Sequence, residues 1–222
     1  MTIATILALE TATDACSVAL LHAGGVAARH AVAPRRHTEI ILDMLDAVLA
    51  EAGCDRDRLD AVAFGLGPGT FTGVRVAAAL AQGIALAREL PVCAVSTLAV
   101  LAAGAARRGH RGRVATLIDA RRDEVYCATF DCHDGRARRL GDDVLLAPEA
   151  VLLAPGDDWL AAGNGWDVYR TRLPQALAAL PRASDDLPHA VDVATLARDE
   201  LAAGRAVDAA SALPAYLRGA LE

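Results

Sequence analysis

The chain contains no lysine; all 22 of its basic residues are arginine. That absence excludes a Walker A lysine, a kinase-type lysine and any Schiff-base chemistry. Aromatic residues make up only 4% of the chain, so a core must be built from Ala, Val, Leu and Ile. No apolar run approaches a membrane span, because Asp, Glu or Arg interrupts every one. The start lacks a basic stretch followed by an apolar one and a cleavage site, so no leader is visible and a cytoplasmic protein is expected. The five cysteines are odd in number and lie in strand-like or helical patterns (Cys16, Cys93, Cys127) or near turns (Cys54, Cys132). Reduced thiols are expected, not a disulfide framework. A formal net charge of −6 offers no global attraction for nucleic acid.

What is present begins with 54% hydrophobic residues over 222 positions, enough for a large core and an ordered chain. The most distinctive stretch is Ala63-Phe64-Gly65-Leu66-Gly67-Pro68-Gly69-Thr70-Phe71-Thr72-Gly73-Val74-Arg75. It joins an apolar run over 59–64 to an Ala-rich helical run over 74–88. Gly65, Gly67, Gly69 and Gly73 admit close approach of backbone or ligand. Pro68 fixes its own φ and keeps Gly67 out of helical geometry. Thr72 is the expected N-cap. A strand, a shaped loop and a helix N-terminus of this kind can attract an anion. The spacing is not a dinucleotide fingerprint, however, and Pro68 removes an amide.

The opening reads as a β-meander: strands over 3–10, 16–21 and 26–32, with Glu10 ending the first. A helix follows over 38–52, closed by Gly53. Glu39, Asp43, Asp46 and Glu51 form one polar stripe. Ile40, Ile41, Leu42, Met44, Leu45, Val48 and Leu49 cover the rest, a wider arc than a sheet requires. Such a helix is either sandwiched within its own domain or shared between a sheet and a partner protein. In the 74–88 helix, Ala79, Gly83 and Ala87 make a small-residue stripe, for which internal close packing is expected. A strand over 91–95 and a helix over 98–106 come next. The run Arg107-Arg108-Gly109-His110-Arg111-Gly112-Arg113 reads as a solvated boundary, with RNA contact as the sharper alternative.

The second half repeats the first. Ile6-Leu7-Ala8-Leu9-Glu10 with Asp14 four residues on matches Ala115-Thr116-Leu117-Ile118-Asp119 with Asp123 four residues on. Two acids in register with matching strands point to a duplicated unit. Beyond it, strands are expected over 125–130 and 159–162, and a helix over 193–203 closed by Gly204. The expected division is residues 1–108, rejoined by 212–222, and residues 109–211.

Two β-meander units, each ending its first strand in an acid, resemble the actin/Hsp70/sugar-kinase architecture, a duplicated α/β ribonuclease H-like fold. That resemblance implies a nucleotide cleft, and the residues fit one poorly. The turns Thr11-Ala12-Thr13-Asp14-Ala15 and Ala120-Arg121-Arg122-Asp123-Glu124 lack glycine and carry acids that repel phosphate. A loop for an adenosine could only be Gly163-Asn164-Gly165. No His-Glu-x-x-His, histidine i, i+4 pair or Gly-x-Ser-x-Gly occurs, so no metal centre or hydrolase elbow is expected.

A more specific resemblance runs along the whole chain. Leu9-Glu10-Thr11-Ala12-Thr13-Asp14-Ala15-Cys16-Ser17-Val18-Ala19-Leu20 is similar to the opening of the TsaB (YeaZ) family. So are Arg36-His37-Thr38, the Gly65-to-Arg75 loop, Val95-Ser96-Thr97-Leu98, Ile118-Asp119-Ala120-Arg121 with Glu124-Val125-Tyr126, and Pro214-Ala215-Tyr216-Leu217-Arg218. The resemblance implies a degenerate nucleotide site, no cofactor and no catalytic residue. It implies a non-catalytic subunit of the complex that forms N6-threonylcarbamoyladenosine in tRNAs reading codons that begin with A. The partners it implies are the catalytic subunit TsaD and the ATPase TsaE, with tRNA reached through the complex and a homodimer when alone. The expected partner surface is Ile40, Ile41, Met44, Leu45, Val48, Val74 and Ala78. Gly65, Gly67, Pro68, Gly69, Thr72, Gly73 and Arg75 are the expected structural loop. The rival reading is a small ATP-dependent kinase or hydrolase of the same superfamily.

Overall fold

A computed structural model describes residues 4–156 and 158–218. Ile3, the expected start of the first strand, and 219–222 of the expected C-terminal return lie outside the described residues. The chain divides into two units. One comprises residues 1–97 and 188–215, the other 98–187 and 216–222. The first unit thus ends eleven residues before the expected boundary at 108, and the chain returns to it at 188, not 212.

In the first unit, β1 (Ile6–Glu10), β2 (Ala15–His22) and β3 (Gly25–Val32) form an antiparallel meander. Helix α1 (His37–Ala52) follows and ends at Gly53, whose φ of 56° and backbone N–H close the last turn. A 3₁₀ turn at Arg56–Arg58 leads to β4 (Ala61–Gly67), then α2 (Phe71–Leu86) and β5 (Val92–Ser96). The strand order is β3-β2-β1-β4-β5, with β1, β4 and β5 parallel. Leu7, Leu9, Val18, Leu20, Val62 and Phe64 point into one cluster with Ile41, Leu45 and Val48 of α1 and Ala77, Ala78 and Ala81 of α2. The alternate residues Ile6, Ala8, Ala19, Ala61 and Ala63 are also wholly buried. Strands buried on both faces read as continuous apolar runs, which is why β1 shows no alternation.

Helix α3 (Thr97–Arg107) opens directly from β5. In the second unit β6 (Gly112–Arg121), β7 (Glu124–His133) and β8 (Arg136–Arg139) form another meander. There follow β9 (Val144–Leu146), a 3₁₀ turn at Pro148–Ala150, β10 (Trp159–Ala162) and the short helices α4 (Gly165–Val168) and α5 (Gln175–Ala178). The order is β10-β6-β7-β8, with β9 also on β7 and β10 parallel to β6. Leu98, Leu101 and Ala105 of α3 pack with Val114, Ile118 and Phe130. Ala115, Leu117, Val125 and Cys127 pack with Trp159, Trp166 and Tyr169 in a second cluster. The duplication is therefore real: β8-β7-β6-β10 repeats the order and directions of β3-β2-β1-β4. This is the expected duplicated α/β, ribonuclease H-like arrangement of the actin/Hsp70/sugar-kinase kind. The hairpin turns differ by one residue, since Glu10 pairs with Ser17 but Asp119 with Val125.

Helix α6 (Ala190–Ala202) belongs to the first unit, where it covers β1, β2, β4 and β5. Its first N–H, from Ala190, donates to the Ser17 hydroxyl at 3.0 Å, so a side chain of β2 replaces a local cap.

Candidate functional site

The carboxyl ends of β1 and β4 in the first unit carry the candidate site residues. Glu10 is wholly buried there. It accepts from the Ala12 N–H at 2.7 Å and from the Thr97 hydroxyl at 3.2 Å. Burial pushes its carboxyl up to about 7, against the lowering effect of those donors. A Cβ at Gly65 would lie 1.9 Å from a Glu10 carboxylate oxygen, so any larger residue there would have to displace that carboxyl.

The glycine loop is shaped by its neighbour, the β1–β2 turn. Strand β4 runs on to Gly67, whose φ is 101°, with a register shift against β5 between Gly65 and Gly67. After the cis Gly67–Pro68 bond, the Thr70 N–H donates to the Ala12 carbonyl at 2.7 Å. The Thr11 hydroxyl donates to the Gly73 carbonyl at 2.7 Å. Added Cβ atoms at Gly69 and Gly73 would sit 2.2 Å and 1.9 Å from the Ala12 and Thr11 carbonyl oxygens. The N-cap is Thr70, not the expected Thr72: its side chain accepts from the Gly73 N–H at 3.2 Å. Helix α2 starts one turn earlier than the apolar pattern suggests, so Thr72 lies exposed in its first turn. The amides of Ala12, Thr70 and Gly73 are thus all spent within the unit. Arg75 donates to the Phe71 carbonyl at 2.9 Å and stacks over the Phe71 ring.

The corresponding acid of the second unit is spent in the same way. Asp119 accepts from the Arg121 N–H at 2.8 Å and the Tyr169 hydroxyl at 2.9 Å, and it pairs with the Arg121 guanidinium. Burial, then the Asp119 bond, pushes the Tyr169 phenol up. Arg121, Arg122 and Asp123 all have positive φ, so a tight turn is made without glycine. In the Gly163-Asn164-Gly165 loop, a Cβ at Gly163 would lie 2.2 Å from the Leu117 carbonyl oxygen, and Asn164 accepts from the Asp119 N–H. The run from 107 to 113 is not a single basic surface. Arg108 donates to the Asp185 carbonyl at 2.8 Å and Arg113 to Asp158 at 2.8 Å. Among the described residues, no group of three or more His, Cys, Asp or Glu could hold a metal. Burial pushes Cys16 and Cys93 up to about 11 and Cys127 and Cys132 up to about 12, so these thiols are inert at neutral pH.

The helices that pack on the first sheet correct the expected partner surface. Ile41, Leu45, Val48, Val74 and Ala78 are buried in their own unit, because both helices aim those positions at the sheet. Ile40 and Met44 are half-buried at its edge. The small stripe of α2, for which internal packing is expected, faces outward: Ala79, Gly83 and Ala87 are exposed, and a Cβ at Gly83 would meet nothing within 4 Å. Phe71 is 71% exposed and Leu86 73%. Val76, Leu80 and Ile84 flank the stripe half-buried. Arg75 is the sole charge on the helix. That lack of charge, legible in the sequence, is the signal that marks an outward apolar face.

Comparison with known proteins follows the same lines. The model of the TsaD family, tRNA N6-adenosine threonylcarbamoyltransferase, matches residues 7–217. A Pseudomonas aeruginosa crystal structure, described as similar to peptidase YeaZ, is 46% identical with a TM-score of 0.89, covering 97% of this chain and all of that one. YeaZ from Pseudomonas aeruginosa is 44% identical with the same score, covering 96% and 100%. The chain belongs to the TsaD family, in its TsaB (YeaZ) branch. The Escherichia coli TsaB protein, named for tRNA threonylcarbamoyladenosine biosynthesis, is 49% identical over 125 residues, 56% of this chain and 54% of its own. Bacillus subtilis TsaB is 30% identical over 146 residues, 64% and 63%. The chain thus matches about half the length of its first curated TsaB relatives.

Proposed function

We propose that the chain is a non-catalytic assembly subunit of the machinery that forms N6-threonylcarbamoyladenosine in tRNAs reading codons that begin with A. It pairs through the outward face of α2, with Ile40 and Met44 of α1, with the catalytic subunit TsaD. TsaE joins as the ATPase, tRNA is reached through the complex, and the cytoplasm is the compartment. The observation that carries this reading is the exposed α2 face, whose one charge, Arg75, lies over the Phe71 ring, set beside a glycine loop whose Thr70 and Gly73 amides are already used. A helix with small outward residues admits close approach of another helix, and burying that face against one stabilises by about 25 cal/mol per Å² of apolar area. The rival, a small ATP-dependent kinase or hydrolase, needs free amides around a phosphate. Thr70 and Gly73 in the first unit, and Asp119 bound to Arg121 and Tyr169 in the second, count against it.

The test is co-purification and activity. Mixed with its cognate TsaD, the chain is expected to elute as a stable complex, and modification of tRNA by TsaD and TsaE is expected to require it. Modification at full rate without the chain would overturn the proposal. A homodimer formed through the same face would dissociate as the complex forms.

A further inference from the structure

The C-terminal end of α2 borders a groove of about 450 Å³ on the first unit, which shares the exposed Leu86 with the outward face of that helix. Its apolar lining comes from Leu86, Leu90, Val207 and the alanines at 206, 209 and 210. The segment holding Val207 is fixed there, because Val207 exchanges both backbone hydrogen bonds with Val92, at 2.8 and 2.9 Å. Gln82 also donates to the Ala212 carbonyl at 3.1 Å. One acid stands on each wall, Glu89 after the helix and Asp208 on the returning segment. Glu89 has φ 52°, the left-handed position after a helix that glycine fills with least strain. An acid stands at a position that glycine would occupy with less strain. Hydrogen bonds from Ser211 hold the Asp208 carboxyl below its usual value, so it is a full charge at neutral pH. The last turn of α2 contains no basic residue, so the negative end of its dipole adds to the two carboxylates. The adjacent arginines are engaged elsewhere: Arg88 with Asp57 and the Arg56 carbonyl, Arg205 with Glu200.

We infer that this groove receives a segment of a partner protein presenting an arginine or lysine between aliphatic side chains. The cation meets Glu89, Asp208 and the helix end, while its methylene stem and the flanking aliphatics cover Leu86, Leu90 and Val207. The negative rim disfavours phosphate, which sets nucleic acid aside. The inference does not depend on the proposed tRNA role.

The test uses the isotope-labelled full chain and two synthetic peptides with leucines flanking one central residue. That residue is arginine in one and citrulline, its neutral isostere, in the other. The arginine peptide is expected to shift amides at 85–91 and 206–210 and to bind about tenfold more tightly than the citrulline peptide at low salt. The difference should shrink as salt is added. Glu89→Gln should remove most of it. Glu89→Gly should remove it too while keeping or raising the melting temperature, which separates lost binding from lost folding. Equal affinities for the two peptides, shifts confined to other surfaces, or an unchanged preference in both variants would overturn the inference. Concentration-dependent self-association through these amides would make a second copy the occupant, and would overturn it as well.

Discussion

Gly65 and Glu10 are one feature at the scale of single residues. A methyl at position 65 would fall 1.9 Å from the Glu10 carboxyl, which would have to give up its bonds to Ala12 and Thr97 to move aside. Gly65→Ala is therefore expected to cost about 1–3 kcal/mol in urea unfolding. A cost near zero would mean that the carboxylate has room to move. Glu10 also gives stability a pH dependence of stated sign. Its carboxyl is raised from 4.5 to about 7 in the folded chain. The folded state therefore holds a proton that the unfolded state has lost between those values. Its favourable contribution is complete below about 4.5 and declines as pH rises through about 7, by at most about 3 kcal/mol. Glu10→Gln should flatten that part of the stability–pH curve and should narrow or reverse any deficit at pH 8. An unchanged slope would show that another group sets it.

Among the elements, α2 is where fold and proposed function meet. Ala79→Arg adds a charge to an exposed helical position, so it should change stability by less than about 0.5 kcal/mol while weakening pairing with TsaD. Leu45→Arg, whose site is 1% exposed in the core, should unfold the unit, not merely unpair it. Size-exclusion co-elution together with circular dichroism distinguishes the two outcomes. Most elements are legible in the sequence because their apolar patterns and glycine punctuation agree; α1 with Gly53, the first meander and β10 are examples. Strand β8 is not legible, since Arg-Ala-Arg-Arg has no apolar period; its backbone pairs with β7, and Arg138 and Arg139 reach Asp131 and the Phe130 ring of that strand. The cap at Thr70 is hidden because Thr72 satisfies the same local rule. Nor does α2's own periodicity show which side its small residues face, because Ala suits both sides. Burial decided that, sending Ala77, Ala81 and Ala85 inward and Ala79, Gly83 and Ala87 outward.

For the whole molecule, the duplicated plan was readable from two acids at a constant offset, Glu10 with Asp119 and Asp14 with Asp123. The return of the chain at 188 was not. Helix α6 buries Ala190, Val193, Ala194 and Ala197 against the first sheet, and a short apolar stripe of that kind names no sheet in advance. Both units carry an acid at or near the end of their first strand, Glu10 and Asp119, and both spend it on internal hydrogen bonds. On this account those acids support the fold and α2 provides the docking face. The most direct test is tRNA modification by TsaD and TsaE with two versions of this chain. One carries Glu10→Gln and Asp119→Asn together; the other carries Ala79→Arg. The account predicts near-normal modification with the first and a large loss with the second, restored by raising its concentration. Loss of ATP turnover and modification with the first, alongside full activity with the second, would contradict it.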